Sequence, residues 1–570
     1  MEFSIMAKKP MPPLTIASDT TVDLLVVGSG TGMAAALTAH ESGLSALIVE
    51  KTAYVGGSTA RSGGAFWIPG SSILPDNGPA ALAEARTYIE AVVGDSAPAE
   101  RGEAFLESGP STVAMLERTT PMRFFWARGY SDYHPEEPGG RAEGRTCECR
   151  PFDASVLGAE RPRLRAGVMK ASFPMPVTGI DYKWMNLVAR KPLKAFSRIL
   201  RRASLGIGGM LIGREYVAGG QALAAGLFAG VLRAGIPVWT ETSLVRLIQD
   251  GDRVTGAVLS QGGKEITVTA RSGVVLAAGG FDHDMVARHK FQSPELEDDA
   301  SLGSEGNTGD AIVAAQELGA AIALMDQAWW FPAFAALPGA APQVMLAERS
   351  LPGSFVIDQT GRRFINEATD YMSFGQALLE RERRGDPAEQ MWLVFDQRYR
   401  NSYIMAGRAF PKQPLPESWY EAGIAYRADD PAALARAIGV PEAALTETFR
   451  EINRYAESGT DPDFARGESA YDRYYGDPTV SPNPNLAPLD TAPFYAVKMV
   501  LSDLGTCGGV VADRNARVLR EDGSVIEGLY AIGNTAANAF GATYPGAGAT
   551  IGQGLVYGYI AARHAAEQVR

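Results

Sequence analysis

Residues 22–28 read Val-Asp-Leu-Leu-Val-Val-Gly and run straight into Gly28-Ser29-Gly30-Thr31-Gly32. Residues 33–42 keep a helical pattern, and Ala46-Leu47-Ile48-Val49 then ends on Glu50. The two short valine- and leucine-rich runs have the composition of buried parallel strands. The whole is a strand, a glycine turn, a helix, a second strand and an acid about 20 residues on, the unit that binds a dinucleotide. Its glycines let the backbone approach a pyrophosphate at a helix start, where free N–H groups and the helix dipole favour an anion. Glu50 is placed to accept hydrogen bonds from ribose hydroxyls. The third glycine falls at Gly32, because Met33 occupies its usual place, so the turn reads as one residue shorter than standard.

The next segment narrows the dinucleotide. Residues 51–64 read Lys-Thr-Ala-Tyr-Val-Gly-Gly-Ser-Thr-Ala-Arg-Ser-Gly-Gly. A glycine- and hydroxyl-rich stretch after the acid is unexpected in a plain NAD fold. It suits FAD, whose ribityl chain and isoalloxazine continue past the pyrophosphate and need backbone donors; a long surface loop is the alternative. Residues 273–281, Gly-Val-Val-Leu-Ala-Ala-Gly-Gly-Phe, read as another buried strand ending in glycines. No helix-and-acid unit follows it, so the sequence offers no dedicated NAD(P) site.

Composition narrows the function classes. At 570 residues the chain exceeds one core and implies two or more domains. A net charge of −12 argues against a general nucleic-acid binder. Cys147, Cys149 and Cys507 provide neither a disulfide framework nor metal-ligand spacing, so no metal is expected, and a reducing cytoplasm fits them. No stretch approaches the ~20 apolar residues of a spanning helix. Residues 1–19 lack a signal-peptide core and read as a mobile leader. Only five histidines occur, so another residue type is expected to move protons.

Near the C-terminus stands Ala542-Thr543-Tyr544-Pro545-Gly546-Ala547-Gly548-Ala549-Thr550-Ile551-Gly552, leading into a helical pattern over residues 552–565. A phenol and a backbone N–H at a helix start, four residues apart, can converge on one oxygen and polarise a carbonyl. A packed loop-to-helix junction is the alternative.

The GSG turn, the Val49-Glu50-Lys51 end of the second strand, the run from Gly56 to Gly64, Trp67-Ile68-Pro69, and the late segments 505–509 (Gly-Thr-Cys-Gly-Gly), 528–534 (Gly-Leu-Tyr-Ala-Ile-Gly-Asn) and 543–552 together resemble the 3-ketosteroid Δ1-dehydrogenases, members of the fumarate reductase/succinate dehydrogenase flavoprotein superfamily. The resemblance implies an α/β protein: a Rossmann-like FAD-binding domain built from N- and C-terminal segments (20–284 and 486–570) around an inserted α+β catalytic domain (285–485). It implies FAD held non-covalently by Gly28, Ser29, Gly30, Thr31, Gly32, Glu50, Lys51, Gly57, Ser58, Thr59, Ser62, Gly63, Gly64, Ala278, Gly279, Gly533, Asn534, Ala549 and Ile551. It also implies 1,2-desaturation of a 3-ketosteroid. Tyr544 and the Gly548 N–H would hold the C3 carbonyl oxygen. Tyr371 would take the C2 proton, assisted by Tyr133, and FAD N5 would take the C1 hydride. A free tyrosine has a pKa of about 10, so Tyr371 must be made more acidic, and a hydrogen bond from Tyr133 would do that. With no iron–sulfur cysteines, electrons must leave to an external acceptor, a quinone or a dye.

Residues 161–214 stand apart as an insert. Lys183, Arg190, Lys191, Lys194, Arg198, Arg201 and Arg202 have no acid among them, and Leu193, Phe196, Ile199, Leu200 and Ala203 recur at helical spacing after Pro192. A basic amphipathic helix suits an anionic membrane surface, which would place a cytoplasmic protein on the inner membrane face and near lipid-soluble sterols with a C17 side chain. The alternative is a solvated helix lying on the protein's own core. Three rival functions stand beside the Δ1 reading: a Δ4-(5α)-3-ketosteroid dehydrogenase, a fumarate reductase-like enzyme needing an arginine and histidine cluster, and a non-catalytic flavoprotein that docks through residues 183–202.

Overall fold

A computed structural model describes residues 11, 14–168, 174–296 and 299–568; most of the expected leader, and residues 169–173 of the insert, lie outside them. The first strand, Thr20–Val27, gives way at Gly28 to the helix Gly32–Glu41 and returns as Ala46–Val49. That helix is buried along almost its whole length, which explains its run of alanines: only small side chains let it lie between the sheet and the C-terminal helix. The third glycine serves the same end. A Cβ on Gly32 would lie 2.8 Å from Val26 Cγ1 and 3.0 Å from Ala277 Cβ.

An eight-stranded sheet forms around this unit, in the order Arg517–Leu519, Val525–Ala531, Arg253–Gln261, Lys264–Leu276, Thr20–Val27, Ala46–Val49, Val238–Trp239, with Thr242–Asp250 paired to Arg253–Gln261. Thr20–Val27 lies parallel to both neighbours, and Val525–Ala531 lies parallel to Lys264–Leu276. The sheet is thus assembled from the two ends of the chain. The helix Ala549–Glu567 packs on Gly32–Glu41 and starts at Gly548.

A second, antiparallel sheet runs Gln343–Val344, Ala328–Phe334, Phe494–Thr506, Met391–Asp396, Ser354–Ile357, with Ala425–Ala428 on Phe494–Thr506. Two expectations change here. The strand Phe494–Thr506 belongs to this sheet, so the chain returns to the first sheet only after Thr506, not from residue 486; the long pairing with Ala328–Phe334 and Met391–Asp396 holds it. Residues 355–364, Phe-Val-Ile-Asp-Gln-Thr-Gly-Arg-Arg-Phe, have the sequence pattern of a hairpin but do not form one. Ser354–Ile357 pairs with Met391–Asp396, and the Asp358–Gly361 turn leads away from the sheet. A small sheet of Ala65–Trp67, Thr146–Cys149 and Phe124–Trp126 lies against the C-terminal helix.

The insert forms two helices, Gly179–Asn186 and Pro192–Leu211. The second is turned inside out for a helix on a soluble protein. Leu193, Phe196 and Leu200 are 89, 62 and 71% exposed. Meanwhile Arg198 and Arg202 point inward and pair with the buried Asp181 at 2.8 and 2.5 Å. The segment's positive charge is therefore only partly available: Arg190 is held by Asp477, and Lys183 and Lys194 lie over the Trp184 ring. Among the described residues no helix is long and apolar enough to cross a membrane.

Candidate active site

A continuous cavity runs from the glycine turn to a cluster of tyrosines. Its first part is lined by backbone. Gly28 has φ +113°, and a Cβ there would lie 2.1 Å from the Ala277 carbonyl oxygen, so only glycine allows the two strand ends to meet under a ligand. Glu50 caps the second strand. It accepts from the N–H and hydroxyl of Ser29 (3.2 and 2.5 Å) and from the N–H and hydroxyl of Thr52 (3.0 and 2.8 Å), which fixes the carboxylate beside the turn; a ribose hydroxyl would replace one of the two side-chain donors. Beyond it, Ser58 Oγ accepts from the Ser304 N–H and from Asn307 Nδ2, both at 2.9 Å. Gly64, at φ +75°, crosses so close to Gly219 that no side chain fits.

Three tyrosines from three separate stretches meet at the other end. Tyr371 is the first residue of the helix Tyr371–Arg383, whose cap Asp370 accepts from the Ser373 N–H. Tyr133 follows the strand Phe124–Trp126 on a loop fixed by the buried Asp132. That carboxylate accepts from Trp67 Nε1 (2.9 Å) and pairs with Arg145. Tyr544 sits before the C-terminal helix in a turn held from two sides, because the Pro545 carbonyl accepts from the Tyr88 hydroxyl (2.7 Å) and the Tyr133 N–H (3.1 Å). Ring centroids are 5.3 Å apart for Tyr133 and Tyr371, and 5.1 Å for Tyr133 and Tyr544. Tyr544 and Gly548 both line this end of the cavity. Gly548 is glycine by necessity: φ is +87°, and a Cβ would lie 2.1 Å from the Ala65 carbonyl oxygen.

All three phenols are buried. Burial pushes Tyr371 well above the ordinary tyrosine value; the Tyr133 hydroxyl pulls it back and is outweighed. Tyr133 is raised in the same way by burial and by the neighbouring phenols, and burial raises Tyr544. The expected acidification of Tyr371 by Tyr133 is present in direction only. Trp329 lies edge-on to Tyr544 at 4.7 Å and donates to Asn534 Oδ1 (3.1 Å). The adjacent Trp330 is buried away from the cavity, with Arg288 over its ring.

Of the residues expected at the cofactor, all but Gly32 and Ala549 line the cavity; those two are packing positions just behind it. The four expected catalytic positions line it as well. The sequence reading missed the loop 304–311, where Lys51 pairs with Asp310 at 2.6 Å, together with Thr242 and Leu244. A hint existed in the loop's Asn307-Thr308-Gly309-Asp310, where Gly309 takes φ +78° before a helix. Thr242 and Leu244 sit on an ordinary strand and carry no signal. Among the described residues the cavity lining holds no histidine, and its one arginine, Arg61, donates to the Leu302 carbonyl. No group of metal-ligating side chains occurs among the described residues.

A glycine-lined dinucleotide cradle opening onto a buried phenol cluster defines an FAD-dependent flavoprotein oxidoreductase, and a family model for the FAD binding domain matches residues 23–551. The chain is 43% identical to a 3-oxosteroid 1-dehydrogenase of Mycolicibacterium smegmatis over 95% of its length and 96% of the relative's. It is 42% identical to one of Mycobacterium tuberculosis over 96% of its length and 98% of the relative's. Its fold matches a crystal structure of 3-ketosteroid Δ1-dehydrogenase from Sterolibacterium denitrificans in complex with 1,4-androstadiene-3,17-dione, at TM-score 0.90 and 39% identity, covering 96% of this chain and all of that one. The chain belongs to the 3-oxosteroid 1-dehydrogenase family.

Proposed function

We propose that this enzyme introduces the 1,2 double bond into 3-ketosteroids. The carrying observation is that Tyr371, Tyr133 and Tyr544 meet, with Gly548 beside them, in one mostly apolar cavity that continues into the cofactor cradle. Tyr544 and the Gly548 N–H donate to the C3 carbonyl oxygen and stabilise the enolate-like charge that develops there. Tyr371 stands within ring contact of both other phenols and takes the C2 proton. The Tyr133 ring lies edge-on to Tyr371 at 5.3 Å, and its hydroxyl favours the anionic form of Tyr371. Bound FAD supplies the acceptor for the C1 hydride at N5. Lys51, Glu50 and the Ser58–Ser304–Asn307 contacts would hold its polar half. A lining without histidine, with its single arginine engaged, disfavours a dicarboxylate substrate. The test is anaerobic addition of an androstenedione-like 3-ketosteroid. Bleaching of the flavin and a product two hydrogens lighter at C1–C2 are expected. An unbleached chromophore, or a product desaturated elsewhere, ends this reading.

The exposed face of Pro192–Leu211 supports a second element, docking on an anionic membrane surface. A helix that presents leucine and phenylalanine to water while turning two arginines inward has its apolar face free for the acyl boundary and Lys191 and Arg201 available for headgroups. The neighbouring helix Gly179–Asn186 puts Gly179 and Tyr182 in the cavity wall, so the membrane face adjoins the substrate cavity. We extend the reading to sterols with a C17 side chain, such as cholest-4-en-3-one, delivered from the inner membrane leaflet, and to a quinone as the external acceptor. Comparable turnover of cholest-4-en-3-one and androstenedione in vesicles, set against loss of the former in detergent-free buffer, is the expected pattern.

A further inference from the structure

Arg349 is fully buried in the turn that follows Gln343–Val344. Its Nη1 donates to the carbonyl oxygens of Glu367 and Thr369, the latter at 2.6 Å. These are the residues that lead into Tyr371. Its guanidinium lies 5.6 Å over the Phe374 ring, one turn further along the same helix. It differs in its pairing from two other buried arginines, Arg145 and Arg466. Arg145 is paired with Asp132, and Arg466 with Glu367; Arg349 has no carboxylate within ion-pair distance among the described residues. Among the described residues its Nε and Nη2 have no hydrogen-bond partner, and neither does the Tyr471 hydroxyl, whose ring lies 4.8 Å from Tyr133.

A guanidinium stays charged when buried. An unpaired one acts at low dielectric on whatever titratable groups surround it. Here these are phenols. Tyr371 faces Tyr133, Tyr544 and Tyr130; Tyr130 faces Glu148, and Tyr471 faces Asp370 and Asp472. Burial raises Tyr130 and Tyr471, and Arg349 pulls both back. The carboxylates in this neighbourhood oppose an anionic phenol, and Arg349 opposes them.

We propose that Arg349 is a positioning residue for the proton-abstracting tyrosine: it clamps the loop that delivers Tyr371 and sets an unpaired cation beside the phenol cluster, so that the cluster can carry a negative charge. This rests on the role given to Tyr371 above. The cation does not touch substrate; it stabilises the cluster that receives the proton.

Three holoenzyme variants separate charge from shape. R349K keeps the charge, R349Q keeps an N–H donor for the carbonyls without charge, and R349M keeps neither. The first readout is the pH profile of anaerobic flavin reduction by a 3-ketosteroid. R349Q and R349M are expected to move its basic-form limb up by about one pH unit, roughly a tenfold loss below it, with KM within about twofold of wild type. R349K is expected to restore the limb. If R349M does not fold with FAD, R349Q against R349K still decides. Coincident limbs in R349Q and R349K overturn the proposal. The second readout is tyrosinate ultraviolet absorbance of steroid-free holoenzyme, taking the component lost in Y371F. It should titrate at higher pH in R349Q, and an unmoved component also overturns the proposal. If wild type does not reduce with a 3-ketosteroid, the proposed function fails, while the absorbance titration still judges Arg349.

Discussion

The rings of Tyr371 and Tyr544 meet at 5.3 Å between centroids and 70° between planes, yet one opens a helix beside the antiparallel sheet and the other precedes the C-terminal helix, which packs with the eight-stranded mixed sheet. In the proposed mechanism, proton abstraction and carbonyl polarisation would thus come from two different parts of the molecule that meet at the cavity. Tyr371→Phe deletes one hydroxyl and keeps the ring, which packs on Phe331 at 4.6 Å. It should lower kcat roughly 10²–10⁴-fold, the range for a general base, with FAD bound at wild-type stoichiometry. Undiminished single-turnover flavin reduction in Y371F removes the base from this residue.

Tyr544→Phe should act differently. It leaves the Gly548 N–H to hold the carbonyl oxygen alone, and loss of one such donor costs about 2.7–4 kcal/mol, or roughly 10²–10³ in kcat. The product would be unchanged. Stopped-flow flavin reduction checks this against steroid binding measured by spectral shift. A variant that loses affinity and keeps its reduction rate would make Tyr544 a binding residue only.

Much of this site was legible because its constraints are local. The Gly28–Gly32 turn must be glycine to let Ala277 approach, and that need is written into the sequence as a motif. Gly548 is the same case at the far end of the cavity. The long-range determinants left no such trace. Arg349 looks like any arginine in a loop, and its buried, unpaired state depends on Glu367, Thr369 and Phe374 arriving from elsewhere. The membership of Phe494–Thr506 in the second sheet was missed for a related reason. Strand pairing is set by partners far away in sequence, and the proline-rich segment before it resembles a boundary. In the insert, periodicity gave the apolar stripe correctly but could not show which way it faced; the buried Asp181, by attracting Arg198 and Arg202, decides that.

That outward stripe gives a third prediction. Each leucine or phenylalanine buried in an acyl boundary contributes about 1.5–3 kcal/mol. The double variant F196E/L200E should therefore release the enzyme from anionic vesicles by at least roughly tenfold. Its turnover of a short, water-soluble 3-ketosteroid should stay within a few-fold of wild type, since neither side chain lines the cavity. Vesicle co-sedimentation measures the first and steady-state kinetics the second. Equal sedimentation of variant and wild type would return Pro192–Leu211 to the status of a solvated helix.

Glu148 gives the fourth. It is buried on the strand Thr146–Cys149 and holds the start of the insert, accepting from the Gly179 N–H at 2.8 Å and the Ile180 N–H at 3.2 Å. Burial raises its pKa from 4.5 to about 7, the two backbone donors notwithstanding. A carboxyl whose folded value lies above its unfolded one binds its proton more tightly when folded. Its stabilisation is complete below about pH 4.5 and is lost as pH rises to about 7, and the shift corresponds to about 3 kcal/mol. Glu348 is raised to about 7 as well, again by burial, and slopes the same way. Glu148→Gln cannot ionise, so it removes one of these two slopes. Thermal unfolding midpoints of the holoenzyme between pH 5 and pH 8 should fall less steeply in E148Q than in wild type, with the curves crossing or converging at the acid end. Parallel curves would mean that Glu148 ionises as freely in the folded chain as in the unfolded one.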